Sequence, residues 1–150
     1  MSFAPDAKIL WSDAQGAPEE PRAKLAYLEQ KATEPIKSAL DAEIKPAFRG
    51  TDPATLRVRI RMIHIQPMAA RIIVGAAPYF IRADLELVDA KSGQILLAAS
   101  NFDAFKAGVG GGAFAILEAA ATDEPIIRVS RAFAHVLSAW LKTGVKTTFG

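Results

Sequence analysis

The chain has 150 residues, of which 51% are hydrophobic and 23% charged, and its formal net charge is +2. This composition is typical of one globular domain with a sizeable core, and it argues against disorder over most of the length. The absence of cysteine excludes disulfides, thiolate metal sites and cysteine nucleophiles, and so small a charge gives no nucleic-acid footprint unless cations cluster.

The first half of the chain begins with a predicted short strand at residues 7–12 and a loop rich in Gly, Pro and acidic residues. Residues 22–48 repeat apolar side chains at three- and four-residue steps, which predicts an amphipathic helix. Its apolar stripe comprises Leu25, Leu28, Ala32, Ile36, Leu40, Ile44 and Phe48.

The boundaries of this helix follow from its flanking residues. Glu19, Glu20 and Pro21 suit a helix start, because acidic charge favours the positive end of the helix dipole. Pro35 removes a backbone donor and is expected to kink or split the helix near residues 33–34. Gly50 is expected to end it.

Three strands are predicted in the middle of the chain. Residues 54–66 alternate, with an arginine row on one face and Leu56, Val58, Ile60 and Met62 on the other. The alternation becomes unclear at residues 63–65, which predicts a bulge or a second covered face.

The next two strands are expected to form a hairpin. Residues 78–89 alternate again, and the apolar face consists of Ile81, Ala83, Leu85 and Leu87. Residues 89–94 are typical of a hairpin connection in which Gly93 adopts a positive φ, and residues 95–102 form the returning strand.

The last third of the chain combines a loop and a helix. Residues 103–121 are predicted to be a flexible, apolar, glycine-rich loop. Residues 123–142 predict a helix capped by Asp123 or Thr122, with Pro125 in its first turn and Gly144 at its end. Its apolar stripe comprises Ile126, Val129, Phe133, Val136, Leu137, Trp140 and Leu141.

The sequence therefore predicts a single α+β domain over residues 1–150. A mostly antiparallel sheet of about four strands would bury one apolar face under two long helices packed on that face. The charged face of the sheet would meet solvent or a partner.

Three segments of the chain have recognisable patterns: residues 3–11, the hairpin of residues 83–96, and the glycines of residues 108–112 that precede an amphipathic helix. Together they resemble a family of small bacterial envelope lipoprotein domains of unknown function. Curli-secretion-like and TolB N-terminal-like domains are more distantly similar in their arrangement of strands and helices.

This resemblance implies a periplasmic or membrane-anchored domain of the cell envelope. The family's export signal and acylated cysteine are not in this sequence, so peripheral membrane association would rely on a missing lipid anchor. A cytoplasmic location is the alternative. The resemblance transfers no catalytic residue.

The first candidate site is an anion-binding surface formed by Arg57, Arg59, Arg61 and Arg82. Guanidinium groups at two-residue spacing project from one strand face and suit phosphates, carboxylates or anionic polymers. The alternative is cross-strand pairing with Asp84 and Glu86, which would leave an ordinary solvated face.

The second candidate site is a partner-binding segment in the glycine-rich loop. A phosphate-binding loop is disfavoured because the Walker lysine and hydroxyl residue are missing. An apolar contact with a partner or lipid surface, or a fold back over the core, remains open. The segment comprises Gly108, Gly110, Gly111, Gly112, Phe114, Ile116 and Leu117.

No catalytic, metal or cofactor site is predicted. His64 and His135 lack a matched carboxylate spacing, and Asp84 and Glu86 are expected to lie opposite arginines and stay ionised. We therefore expect a non-enzymatic envelope domain that binds another envelope protein or itself, with no nucleic-acid partner. A binder of anionic small molecules or polymers is the alternative.

Overall fold

A computed structural model describes residues 1–66, 79–103 and 124–143 of the chain. These residues confirm the predicted order of strand, helix, three strands and helix. The elements are β1 (Ser2–Trp11), α1 (Pro21–Ala47), β2 (Ala54–Ile65), β3 (Phe80–Asp89), β4 (Ile95–Asp103) and α2 (Pro125–Thr143).

The four strands form one sheet in the order β1-β2-β3-β4. β1 runs parallel to β2, whereas β3 is antiparallel to both β2 and β4, so the sheet is mostly antiparallel as predicted. Parallel neighbours need a long crossover, and α1 supplies it between β1 and β2.

One face of the sheet and both helices build a single buried cluster. Ile36, Ile81 and Phe133 each have 0% exposed area within it. Phe102 of β4 contacts the rings of Phe133 and Trp140 at centroid distances of 6.0 and 5.5 Å, which joins the sheet to α2. Fully burying a large apolar side chain stabilises a fold by roughly 1.5–3 kcal/mol, so this cluster is the main source of stability.

The two helical stripes meet this core to different extents. All seven predicted stripe residues of α2 are buried, which confirms that stripe. In α1 only the central positions Leu28, Ala32, Ile36 and Leu40 are buried. Leu25 and Phe48, at the ends of the predicted stripe, are 37% and 44% exposed, so the core covers the middle of α1 and not its ends.

The start of α1 confirms the prediction, whereas the helix is not split at Pro35 and ends before the expected terminator Gly50. The Glu20 carboxylate accepts hydrogen bonds from the backbone N–H groups of Arg22 and Ala23, and Pro21 occupies the first turn. α1 continues through Pro35 without a break because the residues around it, Ala32 and Ile36, are anchored in the core. The helix ends at Ala47 with Phe48 as its cap, before Gly50.

A bulge does interrupt β2, but it lies earlier than predicted. The pairing with β3 shifts between Ile60 and Met62, which leaves Arg61 as the extra residue. Because a one-residue shift exchanges the two faces of a strand, Ile63 and Ile65 enter the core. The expectation that Met62 belongs to the apolar face is wrong, since it pairs with Arg82 and is half-buried.

The hairpin between β3 and β4 forms as predicted. Gly93 has φ +74°, and its backbone N–H donates to the Asp89 carbonyl. The Asp89 carboxylate accepts from the backbone N–H groups of Lys91 and Ser92 and from the Ser92 hydroxyl. These donors, led by the Ser92 backbone N–H, lower the pKa of Asp89 from its ordinary value of 3.8.

Several predictions concern residues that lie outside the described part of the chain. Apart from Asp103, which ends β4, the predicted loop of residues 103–121 lies outside the described residues. The same holds for the proposed caps Thr122 and Asp123 and for Gly144. Neither described helix combines the length and the apolar character needed to span a membrane.

Candidate functional site

The sheet face opposite the two helices, here named the open face, brings the four predicted arginines together. It also holds the acidic side chains expected to face them. Its charged residues are Arg57, Arg59, Arg61, Arg82, Asp84 and Glu86. The structure therefore places on one surface the residues predicted from alternation alone, and it specifies which of them are paired.

Arg57 and Glu86 are directly opposed on β2 and β3 and form an ion pair with an N–O distance of 3.4 Å. Their side chains are 64% and 42% exposed. Water screens such a pair strongly, so its contribution to stability is about 0–1 kcal/mol. Arg57 thus remains accessible to a partner that offers a better acceptor.

Arg61 has a structural setting that the sequence did not predict. Its guanidinium lies 3.4 Å from the Asp6 carboxylate of β1 and 3.7 Å from the Asp84 carboxylate of β3. The register of β1 against β2 shifts between Phe3 and Lys8, at the level of the Arg61 bulge. Arg61 therefore connects three strands where their ladders are irregular.

The same irregularity continues into β4. The pairing of β3 with β4 shifts between Ala83 and Leu85, and Asn101 in the bulge adopts φ +50°. The backbone N–H of Asn101, displaced from the regular ladder, donates to the Asp84 carboxylate at 3.0 Å. We name the connected residues Asp6, Arg61, Asp84 and Asn101 the bulge belt.

The bulge belt was missed at the sequence level because its members lie on four different strands. Two local signals did exist. The loss of alternation after Arg61 indicated a bulge in β2, and asparagine is enriched among non-glycine residues with positive φ. Neither signal specifies that the irregularities of neighbouring strands coincide.

Arg82 forms its ion pair with a carboxylate of β4, on the side away from the β2 arginines. It donates to the Asp103 carboxylate of β4 at 3.0 Å, and the Asp103 side chain is only 4% exposed. The guanidinium also lies 5.3 Å from the centre of the Phe80 ring. A carboxylate this buried needs a close cation, so Arg82 is committed to Asp103 and is a poor candidate for exchange with an external anion.

Arg59 differs from its three neighbours. It is exposed, and within residues 1–66, 79–103 and 124–143 its guanidinium has no ion-pair partner. It lies directly between Arg57 and Arg61 on the same strand and opposite Asp84 in the register of β3. The predicted four-residue anion site is thereby reduced to Arg59, with the weakly paired Arg57 beside it.

The two histidines lie in different surroundings. His64 packs edge-on against Phe80 at a centroid distance of 5.2 Å, and the His135 Nδ1 lies 3.1 Å from the Glu43 carboxylate on α1. Among the described residues, no group of three histidine or acidic side chains is arranged to hold a metal ion. Asp84 and Glu86, which were expected to lie opposite arginines, bind different arginines.

The second predicted site is not placed by the structure. All seven residues of the proposed partner-binding segment, Gly108 to Leu117, lie outside the described residues. The partner-binding role of this segment stays a prediction.

Comparisons with known proteins found no relative of this chain. No protein family, no curated protein and no solved structure matches the chain. The resemblance to envelope lipoprotein domains therefore stays a prediction from the sequence.

Proposed function

We propose that this chain is a non-enzymatic domain of the cell envelope that binds another protein, or a second copy of itself, through the open face. The observation that carries the proposal is the contrast between the faces of the sheet. One face is buried by both helices, while the other keeps ionic side chains that are 28–72% exposed, apart from Asp103. The envelope location is taken from the sequence resemblance alone.

Apolar side chains at both edges of the sheet support a protein partner over a small ion. Leu10 on β1 is 51% exposed, and Ile95 and Leu96 on β4 are 43% and 41% exposed. A simple anion site needs only charged groups, whereas protein interfaces also bury apolar side chains. A protein partner that covers the open face and either edge of the sheet would contact both the arginines and these apolar side chains.

The weak ion pairs of the open face also suit exchange with a partner. The Arg57–Glu86 pair is exposed, and Arg59 has no acidic partner in the described part of the chain. A protein surface with carboxylates at matching positions would gain charge-assisted hydrogen bonds without disrupting a buried network. Arg61 and Arg82 would keep their structural partners.

Site-specific photo-crosslinking in the native cell tests this proposal. A benzophenone amino acid at position 57 samples the open face, and the same group at Lys37 samples the exposed side of α1 as a matched control. We expect a discrete crosslinked species from position 57 and not from position 37. Introducing Arg59→Glu beside the probe should remove that species by charge reversal.

Mass spectrometry of the species distinguishes a second copy from a different protein. If position 57 gives no discrete species, or the same species as position 37, then the open face is not the binding surface. A species that persists with Arg59→Glu would contradict the role given to the arginine row.

A second candidate function is binding of an anionic small molecule or polymer, and Arg59 favours it. A guanidinium that has no ion-pair partner in the described part of the chain, next to the exposed Arg57, suits a phosphate chain. Titration with inorganic polyphosphate at low and high salt is the test, with Arg59→Gln compared with Lys37→Gln. This function requires salt-sensitive binding that Arg59→Gln weakens and Lys37→Gln leaves unchanged.

A further inference from the structure

A groove at the carboxyl end of β1 lies apart from the arginine row. It has a volume of about 370 Å³ and is lined by Ile9, Leu10, Trp11, Ser12, Lys24, His64 and Ile65. Small-molecule sites in proteins span roughly 300–1,000 Å³, so the groove admits a small ligand. β1 and β2 run parallel, so the carboxyl ends of both strands, at Trp11 and Ile65, lie at this groove.

The polar groups of the groove are all able to donate hydrogen bonds, and none of the lining residues is acidic. Lys24 is half-buried in the first turn of α1, yet its ammonium has no partner among the described residues. His64 is also half-buried, and its only described contact is the edge of the Phe80 ring. The Ser12 hydroxyl adds a third donor.

The nearby Lys31 differs from Lys24, because its ammonium has partners among the described residues. Its ammonium lies 5.3 Å from the centre of the Trp11 ring and 3.4 Å from the Gln15 carbonyl. The Tyr27 hydroxyl donates to that same carbonyl at 2.6 Å. These contacts fix the segment after Ser12 against α1, so one wall of the groove is held in place before any ligand arrives.

The remaining walls are aliphatic. Ile9 is half-buried and Ile65 is buried, whereas Leu10 is the most exposed large apolar side chain of the described residues. An alkyl chain lying against Leu10 would remove its exposed surface from water, which favours binding.

We propose that this groove binds a small carboxylate that carries an aliphatic chain. The carboxylate would accept from the Lys24 ammonium, the Ser12 hydroxyl and an N–H of His64, and the chain would lie on Ile9, Leu10 and Ile65. Complementary charge selects the anion, because the groove presents a cation without an ion-pair partner among the described residues, and its described lining has no acidic residue. This site shares Leu10 with the exposed edge of β1 described above, but it uses none of the arginines of the open face.

Octanoate, acetate and octanol serve as probes, since acetate lacks the chain and octanol lacks the charge. We expect octanoate to produce saturable amide shifts in 15N-labelled protein, clustered at residues 9–12 and 64–65, with weaker binding of both other probes. Absence of saturable shifts at these residues below about 10 mM octanoate would overturn the proposal, because such affinity is too weak to be specific. So would equal affinity for octanol.

Variants distinguish the site from general binding of fatty acids to apolar surface. Lys24→Gln should weaken octanoate at least tenfold, whereas Lys24→Arg keeps the charge and should retain affinity within about threefold. Lys8→Gln removes the same charge from an exposed position of β1 outside the groove and should change nothing. Equal losses in Lys24→Gln and Lys8→Gln, with both proteins folded, would show only a net-charge effect and would refute the site.

Discussion

The two faces of the sheet differ in what determines the role of each side chain. On the covered face, Val58, Ile60 and Ile81 need only be apolar and point toward the helices, and each is at most 4% exposed. On the open face, the role of an arginine depends on which carboxylate the register brings near it. Arg59 and Arg61 are two residues apart, yet only Arg61 binds carboxylates on two neighbouring strands. The burial of a side chain therefore follows from the alternation of apolar and polar residues, whereas the partner of an arginine depends on where the bulges shift the strand register.

The covered face should dominate stability, and Phe133→Ala tests this most directly. Phe133 has no exposed area and contacts the Phe102 ring, so truncation leaves a cavity between α2 and β4. We expect a loss of about 3–5 kcal/mol in the free energy of unfolding, measured by urea denaturation. Arg57→Gln on the open face is the control, and we expect it to stay within about 0.5 kcal/mol of the parent. Similar losses in the two variants would contradict the comparison.

Arg82→Gln should give the largest effect on the open face. It removes the cation next to the nearly buried Asp103 carboxylate and leaves that charge poorly solvated. We expect a loss of about 2 kcal/mol in the free energy of unfolding, because hydrogen bonds to buried charged groups contribute more than surface pairs. Arg59→Gln, which removes a guanidinium without a described partner, is the matched control. If both variants are equally stable, Asp103 does not depend on Arg82.

The bulge belt should be sensitive to backbone conformation. Asn101 has φ +50°, a region that β-branched residues avoid, so Asn101→Val is expected to destabilise the fold by about 1–2 kcal/mol. Asn101→Gly should be tolerated, since glycine adopts positive φ without steric cost. Ser100→Val, at an exposed neighbour, is the control for adding bulk. Thermal unfolding of the three variants measures the difference, and equal effects of valine at both positions would exclude a conformational cause.

These two faces also explain how far the sequence could be interpreted. Alternation in residues 78–89 and the stripe of α2 were sufficient to assign the core, because burial depends on period and polarity. The parallel alignment of β1 and the partner of each arginine depend on contacts between residues far apart in the chain. Arg61 pairs with Asp6, 55 positions away, and no local pattern identifies such a partner.

The candidate site was predictable to the same limited degree. Arg57, Arg59 and Arg61 were placed on one face by their spacing, but their division into paired and unpaired residues required the register. The groove was not predicted, because Lys24 and His64 come from different elements and neither carries a motif. Their common feature, the lack of a hydrogen-bond or ion-pair partner among the described residues, can be recognised only in three dimensions.

In the hairpin after Asp89, local sequence determines the structure, and the pH dependence of its contribution to stability is confined to acid. Donors from Lys91 and Ser92 lower the pKa of Asp89 in the folded protein. Its stabilising contribution is therefore complete above the ordinary value of 3.8 and is lost as the pH falls through the lower, folded pKa. We expect the stability difference between the parent and Asp89→Ala to shrink across that range. A difference independent of pH would exclude the carboxylate as its cause.

The smallest effect is expected for the exposed pair of the open face. In a double-mutant cycle of Arg57→Gln and Glu86→Gln, the coupling free energy should be below about 0.5 kcal/mol, because both side chains are largely solvated. The matched cycle of Arg82→Gln and Asp103→Asn should give a clearly larger coupling, since Asp103 is nearly buried. Urea denaturation of the seven proteins, the parent and the three variants of each cycle, measures both values. If the Arg57–Glu86 pair is coupled as strongly as the Arg82–Asp103 pair, then register, and not burial, determines the strength of ionic contacts on this sheet. Arg57 would then be as unavailable to a partner as Arg82.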